Sequence, residues 1–302
     1  MPPRRDIRSS DANDLDVEAT DERHGGRAAG TNVVPADLDA ARIDNMLARR
    51  SIPWGRPVVV VSLTASTNDD AKRAARAGAP EGAAFVADAQ SGGRGRLGHV
   101  WFSPPAENLY ASFILRPTFD PKRIPLVTLT AGLAVVDVVA ARGPARRIGL
   151  KWPNDVYIDG RKVAGILAEA QVVDGRAAWI VVGIGINVQS VAFPPELMAR
   201  ATSLALAGAT SLDRGELFVD LAETLFRRME MLREGKVADL VTAFAARDEL
   251  AGRAITVDGA PATAVGIAED GALVIRRTDG RVATCMAGEV QMAAHGSGPA
   301  PG

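Results

Sequence analysis

Two stretches of the chain collect the residue types that handle anions. The first is Gln90-Ser-Gly-Gly-Arg94-Gly95-Arg96-Leu-Gly98, two arginines set among glycines. The second runs from Lys151-Trp-Pro-Asn154-Asp155 to Arg161-Lys162-Val-Ala-Gly165-Ile-Leu-Ala-Glu169. Of the 35 basic residues, the lysines are Lys72, Lys122, Lys151, Lys162 and Lys236. Two of these five fall inside the second stretch. Glycine lets a backbone approach a ligand closely, and arginine offers forked donors to phosphate or carboxylate oxygens. Such a set suits a reaction in which one anion attacks another and positive charge must offset the repulsion. Read alone, the glycine loop is equally a solvated basic turn.

Other pathways are excluded by context. Residues 93–98 match a dinucleotide fingerprint by letter, but that motif must open a helix. His99-Val-Trp-Phe-Ser-Pro-Pro105 cannot start one. No Walker A loop is present. Ser66-Thr67-Asn68 and Gln90 carry both donors and acceptors, although Ser66 could simply cap the helix that follows. Asn154-Asp155 could be a turn, with Asp155 merely pairing with Lys151. Trp101 and Trp152 could be core residues. Gly183 and Gly185, in Val182-Gly-Ile-Gly-Ile-Asn187-Val188, could mark a bulge.

In this order and spacing, from about Ser62 to Val188, the segments resemble the biotin protein ligases, which attach biotin to carrier-domain lysines. The resemblance implies an α+β fold: a class II aminoacyl-tRNA-synthetase-like catalytic domain with a small C-terminal SH3-like β-barrel. It implies two steps, formation of biotinyl-AMP from biotin and ATP, then transfer to a lysine of a biotin carboxyl carrier protein or domain. Arg94, Arg96, Lys151, Lys162 and Asp155 are the catalytic candidates. Ser66, Thr67, Asn68, Gln90, Arg94, Gly95, Arg96, Lys162 and Gly165 are expected on biotin. Arg94, Arg96, Trp101, Lys151, Asn154, Lys162 and Asn187 are expected on ATP, with Trp101 on the adenine and Mg²⁺ on the phosphates. Asp155 would orient the incoming amine. Relatives pair through an exposed sheet edge, so a homodimer stays open.

The surrounding elements must place these residues. Residues 1–34 show no apolar period and read as a disordered tail. Residues 35–249 form the expected catalytic domain. In it, a helix opens at Pro35, strands cover 57–62, 83–89 and 108–116, and helices cover 68–77 and 125–142. Strands follow at 147–152, 156–159, 162–171 and 177–188, then helices at 195–206, 213–233 and 237–247. Short alternating strands at 254–257, 262–267, 272–275 and 282–286, separated by glycine turns, read as a small barrel over 250–294. Residues 295–302 read as a flexible tail.

Composition narrows the classes further. Lys+Arg is 35 against 36 Asp+Glu, which argues against a general nucleic-acid or membrane-surface binder. Residues 1–34 hold seven acids and five arginines, so no sequence-specific DNA binding is expected. The single cysteine, Cys285, and three histidines leave little for a zinc site or a disulfide, so no protein-bound metal is expected. No signal peptide is visible, and residues 126–141 look too short to span a bilayer, so a cytoplasmic enzyme is expected. Leu97 and His99 stand where many relatives carry further basic residues. The rival readings are a lipoate or octanoate transferase on the same fold, and a non-enzymatic module that docks carriers. The glycines of 91–100 should let that loop close over a water-sensitive intermediate. Amide hydrogen exchange in 91–100 should therefore slow on adding biotin and ATP. Unchanged exchange would count against closure.

Overall fold

The computed structural model describes residues 33–119, 121–143 and 146–292. The tails expected at 1–34 and 295–302 lie outside these residues, apart from Val33 and Val34. Seven strands form one mixed sheet: β1 (Val58–Thr64), β2 (Ala84–Gln90), β3 (Leu109–Leu115), β4 (Ile148–Lys151), β5 (Asp155–Ile158), β6 (Arg161–Val173) and β7 (Arg176–Ile186). Their spatial order is β1-β2-β3-β7-β6-β5-β4. β1 and β2 run parallel, and the remaining neighbours are antiparallel. Two-residue turns at Asp159-Gly160 and Asp174-Gly175 join β5 to β6 and β6 to β7. All four residues have positive φ, as a tight hairpin with the right twist requires.

The helices are α1 (Ala40–Arg49), α2 (Thr67–Arg76), α3 (Ile124–Arg142), α4 (Pro195–Met198), α5 (Arg214–Arg233) and α6 (Val237–Ala245). Side chains alternate along a strand, so each central strand divides its residues between two layers. Leu109, Ala111, Phe113 and Leu115 of β3, and Ile180, Val182, Ile184 and Ile186 of β7, enter the large core with α3 and α5. The alternate residues face α2. Ala71 and Ala75 cover Ile114, Trp179 and Val181 there. Beyond that cluster the same face is free to line a cavity.

α3 corrects one expectation. Its 19 residues are long and apolar enough to cross a membrane, so the segment is not too short. It is nevertheless a core helix, packed against α5 and β6 and largely buried. Its one acid, Asp137, pairs with Arg228 at 2.6 Å.

Three boundaries also differ. Pro35 precedes a single 3₁₀ turn, and α1 begins only after Asp39, whose carboxylate accepts from the Arg42 amide at 2.7 Å. The helix expected over 195–206 stops at Met198. There the backbone of Arg200 and Thr202 is captured by Lys162: Lys162 N–H donates to Arg200 at 2.8 Å, and Thr202 N–H donates to Lys162 at 2.9 Å.

The third is a strand that no periodicity revealed. The second sheet has strands β8 (Ala254–Val257), β9 (Ala260–Ile267), β10 (Leu273–Arg277), β11 (Val282–Cys285) and β12 (Val290–Met292), in the order β11-β10-β9-β8-β12. β12 has three residues, too few to show alternation, and is held by pairing with β8. The buried Trp152 indole N–H donates to the Gly271 carbonyl at 3.0 Å and ties this sheet to the first.

Arg214, 1% exposed, fastens the segment before α1 to the main sheet. Its Nε donates to Asp37 at 2.8 Å and its Nη1 to Asp88 at 2.6 Å. Burial pushes the Asp37 carboxyl up, but Arg214's hydrogen bonds and charge outweigh it and hold it below the usual carboxylate range. Arg214→Leu leaves both acids without their buried counter-charge. It should cost about 3–5 kcal/mol, as breaking one side of a buried ion pair does, measured by urea unfolding at pH 7.

Candidate active site

A cavity of about 550 Å³ lies on the free face of the main sheet. Its floor is made of glycine. Gly165 of β6 is paired directly with Gly185 of β7, and Gly183 lies two residues along. The pairing of Gly183 and Gly185 with Ser112 and Tyr110 of β3 is unbroken, so these glycines are not a bulge. Their role is space. A Cβ at Gly185 would stand 2.5 Å from Trp101 Nε1, and one at Gly165 3.0 Å from Trp101 Cζ3. A Cβ at Gly183 would stand 2.0 Å from Asn68 Oδ1.

Trp101 therefore lies on bare backbone, with Lys162 Nζ 5.2 Å from its ring centroid. Its Nε1 is buried and has no hydrogen-bond partner among the described residues. The indole is thus part of the cavity floor and offers one unused donor.

The end of the cavity under α2 is a polar pocket. Ser66 is the N-cap residue of α2, but its side chain makes no capping bond. Gln90 does that work from β2: its Oε1 accepts from the Thr67 N–H at 2.9 Å. Ser112 donates to Asn68 Oδ1 at 2.6 Å, and Asn68 Nδ2 donates to Glu169 at 2.8 Å. Glu169 also accepts from Lys72 at 2.7 Å. Ser112, Lys72 and Glu169 were not among the expected site residues. Ser112 did leave a signal, as the one aliphatic hydroxyl inside Leu109-Tyr-Ala-Ser-Phe-Ile-Leu115.

The cations converge from separate elements. Lys162 Nζ lies 2.7 Å from Asp155 Oδ1, so Asp155 pairs with Lys162 and not with Lys151. Burial pushes the Lys151 amine below its ordinary range. Asp155 opposes that, and the charge of Lys162 adds to it. The glycine loop folds back on itself: Gly95 N–H donates to His99 at 2.7 Å and Trp101 N–H to Gly93 at 2.9 Å. Leu97 at its tip has φ 55°. Arg96 reaches Asn154 Oδ1 at 3.4 Å and the Gly288 carbonyl at 3.5 Å, so the second sheet forms one wall. Burial pulls Arg96 below its usual pKa.

Ser66, Thr67, Asn68, Gln90, Arg94, Gly95, Arg96, Trp101, Lys151, Asn154, Asp155, Lys162 and Gly165 all line this cavity. Asn187 does not. It is 5% exposed, its amide donates to the Thr202 carbonyl at 2.9 Å, and it braces the chain just past the end of β7. Tyr157 and Arg200 line the cavity unexpectedly. Arg200 does so because the backbone around it is drawn onto Lys162. Among the described residues no group of three or more His, Cys, Asp or Glu side chains could hold a metal ion.

Comparison with known proteins places this geometry. Residues 60–187 match the biotin/lipoate A/B protein ligase family. The bifunctional ligase/repressor BirA of Bacillus spizizenii is 41% identical over 162 residues, 53% of this chain and 50% of that relative. The chain thus spans about half the length of that curated relative. The biotin–[acetyl-CoA-carboxylase] ligase of Mycobacterium tuberculosis is 34% identical over 238 residues, 77% of this chain and 86% of that protein. The biotin protein ligase of Aquifex aeolicus, solved with biotin and ATP, superposes with a TM-score of 0.66 at 28% identity. It covers 78% of this chain and 98% of its own.

The glycine floor can be probed without ligand. Gly185→Ala should displace the Trp101 ring and cost about 1–3 kcal/mol, as overpacking does. It should also shift the tryptophan fluorescence, and the shift should vanish in a Gly185→Ala, Trp101→Phe double variant. An unchanged spectrum and unchanged stability would contradict this placement.

Proposed function

The chain belongs to the biotin/lipoate A/B protein ligase family, within the biotin protein ligases, and we propose that it activates biotin with ATP and passes it to a carrier lysine. The observation that carries this reading is the convergence of Arg94, Arg96, Lys151 and Lys162 on one cavity with a hydrogen-bonding pocket at its end. In the first step a biotin carboxylate oxygen attacks the α-phosphorus of ATP, a P–O bond forms, and pyrophosphate leaves with the electron pair. Lys162 sits between both anions and offsets their repulsion, held in place by Asp155. Arg94 and Arg96 contribute from the loop, and Lys151 contributes charge toward the phosphates. Mg²⁺ bound with ATP would neutralise charge on the leaving pyrophosphate. Mg²⁺ commonly binds through phosphates, waters and one or two carboxylates, and Asp155 and Glu289 are acids that line the cavity.

The ureido ring of biotin is assigned to Ser66, Thr67, Asn68 and Gln90, which line the end of the cavity, with Ser112 orienting the Asn68 amide. A site built on buried hydrogen bonds rejects acids that lack the partner atoms. In the second step the carrier amine attacks the acyl carbon, AMP leaves, and the amine loses a proton. Asp155 is assigned to orient that amine. The partner class is the biotin carrier domain of a carboxylase. Residues 35–249 are assigned as the synthetase-like catalytic domain and 250–294 as an SH3-like barrel that closes the wall carrying Gly288. The enzyme is assigned to the cytoplasm.

Biotin should support ATP–pyrophosphate exchange, while lipoate and octanoate should not. Lys162→Gln should lower that exchange by about 10²–10³, the loss typical of one preorganised electrostatic contact. Exchange with lipoate but not biotin would overturn the substrate assignment.

The Lys151 amine, held low by burial, contributes its charge only below its own pKa and loses it as pH rises. The KM for ATP should therefore rise on the alkaline side before the range of a free lysine, near about 10.4. Lys151→Arg, charged throughout, should abolish that limb. An identical alkaline profile in the variant would contradict the assignment.

A further inference from the structure

The loop arginine is held by an acid of α2 that the mechanism above does not use. Arg94 Nη2 donates to Asp69 Oδ1 at 2.5 Å. Asp69 also faces Lys72 Nζ at 2.9 Å, Lys72 bridges on to Glu169 at 2.7 Å, and Glu169 accepts from Asn68 at 2.8 Å. Asn68, Asp69 and Lys72 all belong to α2, so one helical turn joins the loop to the polar pocket. Two cations alternate with two carboxylates along this chain, and its charges cancel. Glu169 can only accept, which fixes the Asn68 amide with Nδ2 toward Glu169 and Oδ1 toward Ser112.

A loop rich in glycine loses much conformational freedom when it orders over a ligand. A side chain already held in its working position loses less. Asp69 engages one of the five N–H donors of Arg94 and leaves the others for an anion. Its contacts with Arg94 and Lys72 outweigh burial and hold the Asp69 carboxyl at about 2, so the tie is charged throughout the neutral range.

We propose that Asp69 is a positioning residue for Arg94, and that Lys72 and Glu169 extend this tie to Asn68, so that the glycine loop and the floor of the polar pocket order together. The proposal rests on the reading of the cavity as a biotin and ATP site. Its ordinary rival is that Asp69 merely favours the positive end of α2. Asp70 separates the two. It is an acid in the same turn, but it accepts from Thr64 Oγ1 at 2.7 Å and pairs with Arg73 at 3.1 Å.

The test measures two quantities: biotin-dependent ATP–pyrophosphate exchange, and free biotinyl-AMP released per adenylate formed. Asp69→Asn should raise the KM for ATP and the released fraction about tenfold, within the usual range for contacting charged groups, while kcat changes less than about twofold. Asp69→Glu should restore most of the loss, and Asp70→Asn should match the wild type in both readouts. In an Arg94→Ala background, Asp69→Asn should add nothing. Wild-type values in Asp69→Asn, an equal loss in Asp70→Asn, or full additivity with Arg94→Ala would each overturn the proposal. If the wild type itself shows no biotin-dependent exchange, the reading of the cavity fails and this proposal with it.

Discussion

The site depends on a patch of sheet without side chains. Gly165 and Gly185 are opposed across β6 and β7, with Gly183 beside them. The same strands send Ile166, Ile184 and Ile186 to the opposite face, into the core. A slip of one residue would exchange the two faces, setting isoleucines in the cavity and glycines in the core. Apolar burial thus fixes the register, and the register fixes the bare patch. Trp101 can lie on it, and Asn68 can stand against it, because no Cβ intervenes. The glycine loop reaches Trp101 within a few residues, so its course over the cavity follows from the same constraint.

On this floor the charges are arranged with their partners already in place. Lys162 faces Asp155 and Arg94 faces Asp69. Arg96 spans Asn154 and a carbonyl of the second sheet. Burial lowers both Arg96 and Lys151, so an anion entering the cavity meets cations that gain by its arrival. A polyanion attacked by a carboxylate needs this kind of preorganised positive field. The connection of Trp152 to Gly271 makes the second sheet part of the enclosure.

Much of this was legible because the chemistry is carried on short contiguous stretches. The glycine loop, Lys151 to Asp155 and Lys162 to Gly165 each announce their residue types locally. The seven strands of the main sheet and the long helices followed from periodicity. What remained hidden depends on pairing across the fold. Ser112 meets Asn68 only through the placement of α2 over β3, and Lys72 meets Glu169 across nearly a hundred residues of chain. Asn187 continues the alternation of Gly183 and Gly185, yet β7 ends at Ile186 and a bond to the Thr202 carbonyl, set by a distant part of the chain, keeps its side chain out of the cavity. The helix expected from Pro195 to Leu206 shortened because Lys162 competes for that backbone, which local propensity cannot show.

The most direct measurement is to incubate the protein with biotin and ATP in the absence of carrier, desalt it rapidly, and weigh the complex under native conditions. A cavity that joins biotin to AMP and keeps water out should retain one biotinyl-AMP per chain, and adding a carrier domain should discharge it onto a lysine. A folded protein that binds biotin and ATP but never accumulates or transfers the adenylate would contradict that conclusion.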